Sequence, residues 1–123
     1  MKISAAESRI LKVLWATRVP TPADDVVAML GKNREWSAGT VRTFLARLVK
    51  KKVVAVKREG RRYLYYPLIS HEEYAHQESR NLIDRLFNGR IAPFVTQFSE
   101  REDLSREEIA DLKRLIRKLD RER

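Results

Sequence analysis

Two periodicities alternate along the chain, and the points where one gives way to the other mark its organisation. From Trp36 to Lys52, WSAGTVRTFLARLVKKK puts Val41, Phe44, Leu45, Leu48 and Val49 on one side of a helix. Gly39, Thr40, Arg42, Thr43, Ala46, Arg47 and Lys50 fall on the other side, which holds no acid. Upstream, Ser4 and Glu7 have capping-box spacing, and Ile10, Leu11, Val13, Leu14 and Trp15 follow at helical intervals. This predicts a first helix from about Ala5 to about Thr17, ended by Pro20. Thr21 as N-cap, with Pro22 at the first helical position, predicts a short second helix with Val26, Val27, Met29 and Leu30 inside and Gly31 closing it. The linker KNREW then leads to Ser37, the N-cap expected for the third helix.

After Lys52 the period shortens to two residues. VVAVKREGRRYLYYP reads as strand, turn, strand, with Glu59 to Arg61 at the apex and Val54 and Val56 available to Tyr63 and Tyr65 across the pair. Lys57, Arg58, Arg61 and Arg62 cluster at its tip, where Gly60 permits a tight turn. An isolated hairpin is marginal in water, so this one must lean on the helices as a wing. Helix, helix, helix, wing is the order of a winged helix-turn-helix.

From Ser70 the helical period returns. Ser70 with Glu73 opens a helix carrying Tyr74, Leu82, Ile83, Leu86 and Phe87, which Asn88 and Gly89 stop. IAPFVTQF is a shorter segment. Ser105 with Glu108 opens the last helix, where Ile109, Leu112, Ile116 and Leu119 alternate steps of three and four. The expected fold is mainly α: a winged helix-turn-helix domain over 1–69, three helices plus a two-stranded wing, and a helical dimerisation region over 70–123. The latter is too short and too amphipathic to stand alone. A homodimer sharing Tyr74, Leu82, Leu86, Ile109, Leu112, Ile116 and Leu119 is the economical solution; folding back on the basic domain as a monomer is the alternative.

Charge sharpens this division. The formal net charge of +9 is carried by the front: residues 1–69 hold 15 Lys and Arg against 5 Asp and Glu, and residues 70–123 hold 11 against 12. An acidic partner for the front half follows. The chain has no cysteine, which excludes disulfides and thiolate chemistry. No apolar run reaches membrane-span length and MKISAAESRI lacks the apolar core of a signal peptide, so the expected location is cytoplasmic, with no membrane insertion.

Catalytic constellations are missing from the pattern. His71 and His76 are five positions apart, unlike a helical metal pair, and suit surface or dimer contacts. The acid pairs Glu72 and Glu73, Glu102 and Asp103, and Glu107 and Glu108 suit helix starts, where they complement the dipole. No phosphate-binding glycine loop, nucleophile elbow or zinc-ligand spacing occurs. No enzyme activity, cofactor or metal is therefore expected. Double-stranded DNA fits better. Ser37, Gly39, Thr40, Arg42 and Thr43 would lie in the first turns of the third helix, able to meet groove edges and phosphate, and Arg47 and Lys50 would follow toward the backbone. Arg61 and Arg62 would reach flanking backbone or minor groove, while Trp36 packs as a staple.

ISAAESRILKVLW, WSAGTVRTFLARLVKKK, EGRRYLYYPLIS and FSEREDLSREEIADLKRLI together resemble the penicillinase repressors, the BlaI/MecI-like transcriptional regulators, over nearly the whole chain. The resemblance implies a homodimeric winged-helix repressor on inverted-repeat operators of beta-lactam resistance genes. It also implies a membrane-bound antibiotic sensor whose signal leads to proteolysis of the repressor in its C-terminal region. By position, Thr40, Arg42 and Thr43 correspond to the operator-reading set and Arg61 to the wing contact. The family's Asn-Phe cleavage bond corresponds to Gln97 and Phe98, a departure at the first residue. The cysteine cluster of the copper-responsive branch has no counterpart here. Two other readings stay open: a repressor of the same fold controlled by a small ligand or other signal, and a winged-helix protein-interaction module.

Overall fold

Ser4 starts the first helix, α1 (Ala5–Thr17), with a reciprocal cap: its hydroxyl accepts the Glu7 N–H at 3.1 Å while its own N–H donates to Glu7 Oε1 at 2.9 Å. The structure, a computed structural model, describes residues 2–30, 36–101 and 104–123. After α1 come β1 (Thr21–Pro22), α2 (Ala23–Met29), α3 (Ala38–Lys50), β2 (Val54–Glu59), β3 (Arg62–Pro67), α4 (His71–Phe87), α5 (Ile91–Glu100) and α6 (Arg106–Arg121). The expected stop at Gly31, the linker residues 32–35 and the pair Glu102 and Asp103 lie outside the described residues.

The start of α2 differs from expectation. Thr21 is a strand residue paired with Tyr65, and its hydroxyl donates to the Val19 carbonyl at 2.7 Å. With backbone and hydroxyl both committed there, the cap falls to Pro22, which makes no side-chain hydrogen bond, and Asp24 takes the second helical position. Ala23, Val26, Val27 and Leu30 share the side of the helix that packs on the core. Met29 lies beyond the edge of that stripe and is half exposed, against its expected inward place.

The wing also gains a strand. β3 is central, flanked by β1 and β2 in an antiparallel sheet, with Val56 opposite Tyr65, Arg58 opposite Tyr63 and Val54 opposite Pro67. β1 thus ties the hairpin to the helices by backbone hydrogen bonds. Ile10, Leu11 and Leu14 of α1, Val26 of α2, Val41, Leu45 and Leu48 of α3, and Val54 of β2 form one buried cluster with Ile3. At the end of α3, the Lys52 and Val53 N–H groups return to the Val49 and Leu48 carbonyls, with Lys52 left-handed.

One charge is inside this core. Glu7 is 1% exposed and its Oε1 accepts from Lys51 Nζ at 2.6 Å, which ties α1 to the end of α3. Burial pushes the Glu7 carboxyl up, but Lys51 and the Ser4 cap outweigh that and hold it below the usual carboxylate range.

The chain divides into two compact units, Met1–His76 and Gln77–Arg123. The first reaches into α4 because Trp15 holds the start of that helix: its indole N–H donates to the Ile69 carbonyl at 2.9 Å, and the His71 and Tyr74 rings stand 5.1 and 5.6 Å from it. In the second unit, Asn88 and Gly89, both with positive φ, end α4 where expected. Phe87, Phe94 and Phe98 form an edge-to-face ladder. α6 is capped by the Ser105 hydroxyl, which accepts the Glu108 N–H at 3.1 Å.

Candidate nucleic-acid interface

The exposed face of α3 is the one its sequence pattern marks: Gly39, Arg42, Thr43, Ala46, Arg47 and Lys50 are exposed, Thr40 is half-buried, and Val41, Leu45 and Leu48 are buried. Ser37 caps the helix by accepting the Thr40 N–H at 3.1 Å, so that donor is already taken. The first turn holds no acid. Thr43 donates back to the Gly39 carbonyl at 3.1 Å, so its hydroxyl is partly committed within the helix. A Cβ at Gly39 would meet only the Ser37 hydroxyl at 3.7 Å, an ordinary contact, so packing within the chain does not require glycine there. Trp36 packs on Phe44, with ring centres 5.0 Å apart, and the Arg9 guanidinium lies 4.4 Å above the indole. These contacts brace the start of α3. Arg47 lies toward the Phe44 ring and Lys50 is exposed in the last turn.

The wing brings its cations to two places. Arg58 folds onto its own hairpin, donating to the Gly60 carbonyl at 2.9 Å and lying over Tyr63. Arg61 and Arg62 line a cleft of about 290 Å³ that Arg42 shares, so three of the residues marked by sequence converge on one space. Asp24 also lines it and holds Arg42, Nη2 to Oδ1 at 2.8 Å. The sequence pattern gives no sign of this pair, because the two residues stand 18 positions apart on different helices.

The other marked residues lie in the start of α4 and in the second unit. Tyr74 packs beside Trp15 in the front unit, Leu82 is half-buried and Leu86 exposed. Leu112 lines a cleft with Phe94, Phe98 and Leu104, whereas Ile109, Ile116 and Leu119 are exposed, and with them Leu115, which the pattern did not single out. Gln97 and Phe98 lie within the helical turns of α5, and Phe98 stands edge-on to Phe94. Among the described residues, no helix is long and apolar enough to cross a membrane.

Comparison with known proteins agrees with this architecture. The penicillinase repressor of Bacillus licheniformis is 34% identical over 94% of this chain and 89% of its own length. The methicillin resistance regulatory protein MecI of Mammaliicoccus sciuri is 30% identical over 95% of this chain and 94% of its own. The solved structure of the Bacillus licheniformis BlaI monomeric form in complex with the blaP half-operator is 35% identical, covering 60% of this chain and 89% of that one with a TM-score of 0.51. The model of the penicillinase repressor family matches residues 3–118, and the chain belongs to that family.

Proposed function

We propose that this chain is a sequence-specific DNA-binding repressor that acts as a homodimer on inverted-repeat operators. The observation that carries this is the convergence of Arg42 on the acid-free face of α3 with Arg61 and Arg62 of the wing. The likeness to a repressor whose structure was solved on a half-operator supports it. α3 enters the major groove, with Thr40, Arg42 and Thr43 toward base edges and Arg47, Lys50, Arg61 and Arg62 toward phosphates. Two such units neutralise on the order of 6 to 10 phosphates, so affinity falls steeply with salt. A gel-shift titration across salt concentrations tests this, and a flat response would contradict it. The names of the relatives support beta-lactam resistance genes as targets.

Pairing of two chains draws on the exposed Ile109, Leu115, Ile116 and Leu119 of α6. Cleavage between Gln97 and Phe98, through a protease downstream of a membrane-bound antibiotic sensor, would detach α6 and leave monomers that hold half-sites weakly. Because both residues are helical and proteases bind extended chain, cleavage requires the end of α5 to unwind first. Truncation after Gln97 isolates the consequence. A truncated chain that still sediments as a dimer and holds its operator at low concentration would end this part of the proposal.

A further inference from the structure

Asp24 is out of place on a surface that meets a polyanion. Its side chain is 80% exposed and lines the same cleft as Arg42, Arg61 and Arg62. An exposed ion pair of this kind adds little to folding stability. For attraction to phosphate alone, the cleft would be better without it. What Asp24 does supply is geometry: its Oδ1 holds Arg42 Nη2 at 2.8 Å across 18 residues of sequence, fixing a side chain that is itself 54% exposed.

We propose that Asp24 is a positioning residue for base recognition, holding the Arg42 guanidinium so that its remaining N–H groups present a fixed fork to the O6 and N7 acceptors of one guanine. Arginine has five N–H donors, so one bond to Asp24 leaves enough for a bidentate contact. An arginine without this tether turns to the nearest phosphate, which every sequence offers, and its contribution becomes indiscriminate. Asp24 therefore lowers affinity for all DNA while raising the ratio of operator to random binding. The inference rests on the DNA-binding reading above.

The test uses the full chain, a duplex that the wild-type chain selects from a random-sequence pool, versions of it with each guanine replaced in turn, and an unselected duplex. Asp24→Asn removes the charge, and Asp24→Glu keeps it at a different reach. The expected results are that Asp24→Asn binds the unselected duplex a few-fold more tightly, whereas both variants lower the operator-to-random ratio about five- to tenfold. The loss falls at one guanine, the same one to which Arg42→Ala becomes indifferent, and combining Asp24→Asn with Arg42→Ala costs no further discrimination. A uniform gain on all duplexes with an unchanged ratio would show that Asp24 only repels phosphate, and would overturn the proposal. So would a loss spread over many positions. If the wild-type chain selects no duplex at all, the DNA-binding reading fails and this inference with it; selection with an unchanged ratio defeats the inference alone.

Discussion

α3 and α6 are written in similar patterns and meet opposite fates. In α3 the apolar stripe of Val41, Leu45 and Leu48 is sealed against α1 and its neighbours, and the polar face is the one that remains to act. In α6 the stripe itself is exposed: Ile109 at 39%, Leu115 at 52%, Ile116 at 63% and Leu119 at 48%. Amphipathic spacing states which side of a helix leaves water, and says nothing of which surface receives it. In the first unit that surface is supplied by the same chain, whereas the exposed stripe of α6 is consistent with a second copy supplying it.

The largest expected effects contrast these two stripes. Leu45→Ala should destabilise the front unit by about 3 to 5 kcal/mol, as cavity formation in a sealed core does, measured by denaturant unfolding. Ile116→Asp should leave unfolding of the front unit almost unchanged and instead, on the proposed pairing through α6, weaken self-association, read by sedimentation. Equal thermal losses from both would mean that α6 packs within its own chain.

Next in size is the Glu7 and Lys51 tie. Lys51→Met leaves a buried carboxylate without its cation and should cost about 2 to 3 kcal/mol, less than a fully buried pair because Lys51 reaches solvent. The Glu7 pKa is lower folded than unfolded, so the unfolded chain binds more protons in acid. The stabilisation is present above the ordinary glutamate value and is lost as the pH falls through the folded value. Glu7→Gln should flatten this acid limb of a stability profile, and an unaltered limb would assign it to other carboxylates.

Arg42→Ala should cost about 1 to 3 kcal/mol of discrimination at one base pair, whereas Lys50→Ala should weaken all duplexes alike and reduce the salt slope by about one. Losses that do not separate in this way would mean that the two roles are wrongly assigned. The smallest effect is the most diagnostic of use. Gly39→Ala has room within the chain and should raise stability by about 0.5 to 1 kcal/mol. It should nonetheless weaken operator binding if the backbone of the first turn approaches phosphate. A variant improved in both respects would place DNA farther along the helix.

Much of the architecture was open to inspection in the one-dimensional pattern. The bounds of α1, the Ser37 cap, the division of α3 into an apolar and a polar face, the hairpin with its apex at Gly60 and the stop at Asn88 and Gly89 all follow from residues within a few positions of each other. What the pattern left out depends on pairs far apart in the chain. β1 is two residues long, too short for any period, and exists because Tyr65 and Leu64 offer it a partner. The capture of Ile69, His71 and Tyr74 by Trp15 extends the front unit into α4. The Asp24 bond to Arg42 turns a helix-start acid into a neighbour of the proposed reading head.

Local spacing thus decided which helices and which hairpin form and which of their sides are apolar, since helix, turn and cap are contests among near neighbours. Only the folded arrangement decided what each side meets, because the partner of a strand edge, an indole or a guanidinium is chosen by chain closure over tens of residues, where no short period carries information.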